Sequence, residues 1–325
     1  MSEQLSGNEA VDVTNIFEAA HLPVVGRVVI QQKKGMYPHK RKLEDNWSHY
    51  TASCFARLNK RGVHPKIIGI VGIGSGVEAI AAGLAFDSLE RVIISDVDTG
   101  VVEGAKDNIR NNFSEPKFTL ESLVGSFCEP FTEQRLHADL IHANIPNLPA
   151  AKGADLSGGA EKGTFLRPEL YEGYNPPAKY IEWALGAQYA YLQSAKEALT
   201  KGGSVLAEVG GRVPLSLLKD LFTDNGFSFE EALVGFKEQT EAEMDFRGYH
   251  AFEREYGLAF DFYRYRHALG ALRQYGVTGN IVDMSGKELK ELLAPYKVDA
   301  GKAFELCRIG SPIGHTVHIL KGTKK

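Results

Sequence analysis

Residues 67–73, IIGIVGI, are an apolar run that opens directly into Gly72-Ile73-Gly74-Ser75-Gly76 and then into the helix-forming stretch VEAIAAGLAF. Glycines at such a strand end let the backbone turn tightly and let a ligand approach the main chain. Residues 91–95, RVIIS, read as a second strand closing on Asp96, twenty-two residues after Gly74, and DTGVVEGAKDNIRNN follows as a helix. Residues 118–124 and 138–143 (ADLIHA) read as two more strands, the latter running into Asn144-Ile145-Pro146-Asn147. A loop of some twenty residues rich in Gly, Pro and Ala comes next. A helix from Pro177 to Thr200, the turn Lys201-Gly202-Gly203, a strand SVLAEVG and a helix PLSLLKDLFTDNG complete the pattern. Strands separated by helices of this length make βαβ units, so the expected fold class is α/β with a parallel sheet, and ligands are expected beyond the carboxyl ends of its strands.

Three segments are expected: residues 1–60 as an N-terminal helical cap, 61–235 as the Rossmann-like core, and 236–325 as an elaboration that completes the sheet and pocket, ending in a strand at Thr316–Leu320. The 325 residues include only Cys54, Cys128 and Cys307, widely spaced, which excludes a disulfide scaffold and a CxxC zinc site and fits a reducing compartment. No apolar run approaches the ~18 residues of a membrane span, and the polar N-terminus does not read as a signal peptide, so a cytoplasmic location is expected. The net charge of −4 hides a local excess: residues 27–66 carry ten Lys and Arg against Glu44 and Asp45. Such a segment is either a nucleic-acid grip, an attractor for a small anion, or a solvated face.

Asp96, at the end of the second strand, is placed to accept hydrogen bonds from both hydroxyls of a ribose. Together with the glycine loop it points to an adenosine-containing cofactor. Dinucleotide sites use G-x-G-x-x-G, whereas here the spacing is G-x-G-x-G with Val77 following. The tighter loop resembles that of class I methyltransferases, which implies S-adenosyl-L-methionine as the cofactor, held by Gly72, Gly74, Gly76, Asp96, Ser126 and Asn144. The acidic residue usual two positions before the first loop glycine is here Ile70, so the cofactor's amino group must be held otherwise.

Asn144-Ile145-Pro146-Asn147 looks like a variant of the Asn-Pro-Pro-Tyr motif of N-methyltransferases, with Asn147 where a stacking aromatic would stand. A wider resemblance is to the methionine S-methyltransferase family. It is carried by Glu44-Asp45-Asn46-Trp47-Ser48-His49-Tyr50, Leu58-Asn59-Lys60-Arg61, His64-Pro65, Asn144–Asn147, Gly210-Gly211-Arg212, Phe252-Glu253-Arg254, Phe260–Tyr263 and Gly310-Ser311-Pro312-Ile313-Gly314-His315. Ser126 departs from it, standing where relatives carry an Asp facing adenine.

The resemblance implies methyl transfer to the thioether of free L-methionine, giving S-methylmethionine, as a first step toward dimethylsulfoniopropionate where that compound is made. A thioether has no proton to lose, so no general base is expected; Asn144 and Trp47 would act in alignment. Aromatic faces near the acceptor sulfur would come from Trp47, Tyr50, Tyr249, Tyr256, Tyr263 or Tyr265. Arg212 would hold the substrate carboxylate, Asp245, Glu253 or Asp261 its ammonium, and His315 would contact substrate. No metal is expected: on a strand, His315 and His318 point to opposite faces. Rival readings are an N-methyltransferase acting on protein glutamine, a nucleic-acid base or another small amine; a non-catalytic adenosine-binding module; and a nicotinamide-dependent oxidoreductase. Nucleic acid and membrane are not among the expected partners.

Overall fold

The computed structural model describes residues 9–40, 42–113, 115 and 117–325; Arg41 of the basic segment and the first eight residues of the expected cap lie outside them. In chain order the elements begin with β1 (Glu9–Asp12), α1 (Thr14–Ala19), β2 (Val29–Gln32), α2 (Trp47–Lys60), β3 (Ile67–Val71), α3 (Val77–Ala85), β4 (Arg91–Asp96) and α4 (Thr99–Asn111). They continue with β5 (Thr119–Val124), α5 (Glu129–Glu133), β6 (Ala138–Ala143), β7 (Leu148–Pro149), α6 (Gly159–Thr164), β8 (Phe165–Leu166), α7 (Ala178–Glu182), α8 (Gly186–Ala198) and β9 (Leu199–Gly210). The last third holds α9 (Leu215–Asp224), β10 (Glu230–Glu238), α10 (Ala242–Tyr256), β11 (Phe262–Arg264), α11 (Tyr265–Gln274), β12 (Ile281–Val282), α12 (Gly286–Leu293), β13 (Lys297–Val298), α13 (Ala300–Arg308) and β14 (Ile313–Thr323).

β3 is apolar along its length because both faces of the sheet are covered there; Ile68, Ile70 and Val71 are all buried. The strand order is β12-β10-β14-β9-β6-β3-β4-β5. β5, β4, β3, β6 and β9 run parallel, and β14 enters antiparallel between β9 and β10. The direction of strand addition reverses between β3 and β6, which opens a crevice at their carboxyl ends. One face of the sheet packs against α1, α2 and α3 through Phe17, Phe55, Ile80 and their neighbours, the other against α8, α9 and α10 through Tyr191, Phe222 and Phe246. A smaller cluster under α11 and α12 closes the β10 edge. No helix among the described residues is long and apolar enough to cross a membrane.

The sequence reading is amended in four places. The cap expected to be helical also carries an antiparallel ribbon, β1 with β2, which Asn108 and Asn112 of α4 bind through the main chain of Gln31 and Val29. The helix expected over Pro177–Thr200 is broken into α7 and α8 at Ala184, whose φ is 53°. The break lets α8 start at Gly186 against Tyr171, where a Cβ would come within 2.8 Å of the ring. Lys201-Gly202-Gly203 is an irregularity inside β9, where the register with β6 shifts, and not a turn before it. The final strand runs well beyond Thr316–Leu320 on both sides, because β14 pairs with β9 and β10 along most of its length.

Candidate active site

A cleft of about 740 Å³ lies over the carboxyl ends of β3, β4, β6 and β9, within the ~300–1,000 Å³ range of small-molecule sites. Its first wall is the glycine turn. Gly72, Gly74 and Gly76 have φ of 69°, 54° and 89°, all in the left-handed region that glycine adopts without strain. Gly72 and Gly74 line the cleft, and a Cβ on Gly74 would meet nothing within 4 Å, so its main chain is open to a ligand. Gly76 does not line it: it caps α3 and packs on α4, where a Cβ would sit 3.0 Å from the Ala105 carbonyl oxygen. That glycine serves helix packing.

Asp96 faces the cleft from the end of β4 and accepts from the Asp98 N–H at 3.1 Å. Burial pushes its carboxyl up, and main-chain N–H donors from Asp98 and Gly74 oppose that rise. Asp98 is held below the usual carboxylate range, first by the hydrogen bond from Lys162. Lys162 thereby ties α6, which covers this end of the cleft, to the residue beyond Asp96. Ser126, after β5, and Asn144, after β6, both line the cleft. Asn147 Oδ1 accepts from Gln188 Nε2 at 3.2 Å, and Asn147 also bonds Tyr249; a side-chain amide stands where an aromatic would stack.

The far end holds a buried charge system. Arg212, only 5 % exposed, donates to Gln239 Oε1 and, at 3.4 Å, to the Tyr249 hydroxyl; its guanidinium lies 3.9 Å from Asp245. Gln239 in turn donates to Asp245, and Arg212 Nε has no partner among the described residues. Burial raises the Asp245 carboxyl to about 6 against the opposing pull of Arg212. Trp47, the first residue of α2, lines the cleft, stacks on His315 (centroids 5.6 Å apart) and has Lys237 Nζ 4.7 Å from its ring centre. Burial, followed by the repulsion of Arg212, lowers the Lys237 ammonium to about 8.

Several expected contacts are elsewhere. Tyr50 is wholly buried in the core: its hydroxyl donates to Glu44 O (3.1 Å) and accepts from Asn280 (2.7 Å), three residues and most of a helical turn from Trp47. Tyr256 is 38 % exposed at the end of α10 and packs on Phe252, away from the cleft. His315 does not reach the cleft; it backs the Trp47 ring, its Nδ1 hydrogen-bonded to Thr316 O at 2.9 Å. Tyr263 is core, and Tyr265 stacks on Phe236. Glu253 accepts from the N–H groups of Phe260, Ala300 and Gly301, and Asp261 is bound by Lys290 and Lys297. Of the three acids suggested for an ammonium, only Asp245 lines the cleft. The basic segment is largely neutralised: Arg27, Lys33, Lys40, Lys42, Arg61 and Lys66 each pair with an acid.

Sequence reasoning missed Gln239, Tyr37, Glu78 and Glu208, all of which line the cleft. Glu208 carried a signal: it is a lone carboxylate inside the apolar run SVLAEVG. It is 1 % exposed and takes a hydrogen bond from Thr51, while its Oε1 has no partner among the described residues.

The strand order, a parallel sheet with an antiparallel strand inserted beside its last parallel member, is a Rossmann-like arrangement. No family model and no curated relative matches the chain. It is similar to solved structures at low identity. One is a candidate RNA methyltransferase from Pyrococcus horikoshii, 12% identical over 95% of this chain and 94% of that one, with a TM-score of 0.44. Another is a precorrin-6y C5,15-methyltransferase from Geobacter metallireducens, 11% identical over 89% and 95%, with a TM-score of 0.40. A third is a candidate sarcosine dimethylglycine methyltransferase from Galdieria sulphuraria, 10% identical over 91% and 94%, with a TM-score of 0.43.

Proposed function

We propose that this protein is an S-adenosyl-L-methionine-dependent methyltransferase that methylates the thioether sulfur of free L-methionine to give S-methyl-L-methionine. The observation that carries the reading is the buried Arg212–Gln239–Asp245 chain beside Trp47 at the inner end of the cleft. A fixed guanidinium and a carboxyl, both out of water and linked by one side chain, match the two charges of a free amino acid. A nucleic-acid base or a peptide amide presents no such pair, and burying either charge unpaired is costly.

The cofactor fits the other end. The main chain at Gly74 is open, Asp96 faces the cleft at the position suited to ribose hydroxyls, and Asn144 and Ser126 flank it. Once bound, the cofactor supplies an electrophilic methyl on a sulfonium. Arg212 orients the substrate carboxylate and Asp245 its ammonium, which leaves the thioether as the free end of the molecule. Trp47, stacked on His315 and with Lys237 Nζ 4.7 Å from its ring centre, lines the cleft, where its ring would stabilise positive charge developing at the acceptor sulfur by about 0.5–2 kcal/mol. No proton leaves the nucleophile, so alignment does the work that a base does in other transfers.

The direct test is mass spectrometry of purified full-length protein incubated with methyl-labelled cofactor and, separately, each amino acid, RNA and a protein extract. Label in methionine as a sulfonium one methyl heavier is the expected result; label in RNA or protein with none in methionine overturns the reading.

The acid limb of the pH profile is also expected. Ammonium binding requires ionised Asp245, so kcat/KM for methionine should rise as pH passes about 6. Because that carboxyl's folded pKa lies above its unfolded value, its ionisation weakens the fold, and stability falls as pH rises through the same point. Asp245→Asn should abolish activity with methionine while the chain still unfolds cooperatively at neutral pH, checked by calorimetry alongside the assay. A lowered melting temperature with retained turnover would remove Asp245 from the site.

A further inference from the structure

Position 70, where a carboxylate is usual in this loop type, is a buried isoleucine, yet the cleft beside it is acidic. The sheet register explains where the charge has gone. Ile70 is paired with His142, and His142 with Leu206, so the three form one row across β3, β6 and β9. Side chains two apart on a strand share a face, so Glu208 lies on the same face as Ile70, one step nearer the carboxyl ends. There Thr51 of α2 donates to Glu208 Oε2 and also contacts His142 Nε2 at 3.2 Å. On the same side, Ser48 of α2 donates to Glu78 Oε1 at 2.7 Å, and Glu78 sits in the first turn of α3. Both carboxyls line the cleft, and Glu208 Oε1 is buried there without a partner. A buried acceptor left unpaired is costly unless a ligand completes it.

We infer that Glu78 and Glu208 form the subsite for the α-ammonium of the cofactor's amino-acid tail, replacing the carboxylate absent at position 70. This rests on the cofactor reading above and is separate from the Arg212–Asp245 end, which takes the substrate. Burial, with Glu78 nearby as a further cause, pushes the Glu208 carboxyl up in the free protein. With the ammonium bound, the Glu208 carboxyl would accept from it as a carboxylate, giving up any proton it holds to solvent. Thr51 holds the other oxygen throughout, which orients the carboxyl for this exchange.

The test is titration calorimetry of full-length wild type, Glu208→Gln and Glu78→Gln with three probes: S-adenosylhomocysteine, 5′-methylthioadenosine, which lacks the amino-acid tail, and L-methionine. Glutamine accepts the Thr51 hydrogen bond as the neutral acid does, so the fold of Glu208→Gln is retained. Each variant should bind S-adenosylhomocysteine about ten- to a hundredfold more weakly, with methylthioadenosine affinity unchanged. Wild type should also release a proton on binding S-adenosylhomocysteine, seen as a dependence of the heat on buffer ionisation, and Glu208→Gln should not. Unchanged S-adenosylhomocysteine affinity overturns the inference. So does equal weakening of both nucleoside ligands, or a loss confined to methionine, which would assign the pair to substrate. Failure of wild type to bind either nucleoside overturns the cofactor reading itself.

Discussion

Arg212→Met raises the KM for L-methionine by about two orders of magnitude and leaves the affinity for S-adenosylhomocysteine within about threefold, because a paired charge-assisted contact to a carboxylate is worth roughly 3 kcal/mol. The asymmetry is the informative part. Arg212 lies at the Gln239–Asp245 end of the cleft, whereas the glycine turn and Asp96 form the opposite wall. Methionine at 212 keeps much of the stem's packing under Tyr249 and Phe262, whose rings lie 5.1 and 5.7 Å from the guanidinium carbon. The change also leaves Asp245 without its neighbouring cation, so that carboxyl stays protonated to higher pH. Steady-state kinetics with each substrate varied in turn, at a pH well above the Asp245 transition, checks this. An equal effect on both ligands would mean that Arg212 holds the cleft together and does not select the amino acid.

Asp96→Asn should weaken S-adenosylhomocysteine about a hundredfold, the loss of two hydrogen bonds to a charged acceptor at ~1.5 kcal/mol each. The asparagine is nearly the same size, and the strand that carries it is set by β3 and β5 on either side, so the fold should stand. Its amide can still accept from the Asp98 N–H with its oxygen. What it cannot do is accept from two hydroxyls at once with the second terminus, which is now a donor. Calorimetry with S-adenosylhomocysteine is the measurement, with the melting temperature as control. Unchanged affinity would move the ribose away from the end of β4.

The glycine-turn wall of the cleft was legible in the sequence because its information is local. Gly72, Gly74 and Asp96 lie on consecutive strand ends of one βαβ unit, and the turn dictates their placement. Gly76 was read one step too far: the residue type is required, but by the approach of α4. The wall carrying Trp47 and Asp245 was legible only as a list of candidates. Trp47 and Tyr50 are three apart on α2, and nothing in the sequence says which one the helix turns inward. Packing against Gly235, where a Cβ would meet the Tyr50 ring at 2.6 Å, makes that choice. Asp245 and Tyr256 share α10, but eleven residues of helix separate them by about 16 Å, so both cannot reach one pocket. Glu253 and Asp261 were equally plausible acids until main-chain N–H groups and lysines were seen to occupy them.

The amino-acid sequence by itself determined the α/β class, the order of the parallel strands' elements and the glycine turn, because apolar periodicity and backbone permissiveness act over a few residues. Tertiary structure alone decided that Trp47, Arg212, Gln239 and Asp245 line one cleft, and that Glu208 lies on the same face of the sheet as Ile70. The insertion of β14 between β9 and β10 brings these distant segments together. Burial then makes their charges matter, since a lone guanidinium or carboxyl out of water must find a partner, and the partner here is supplied by a chain segment far away in sequence.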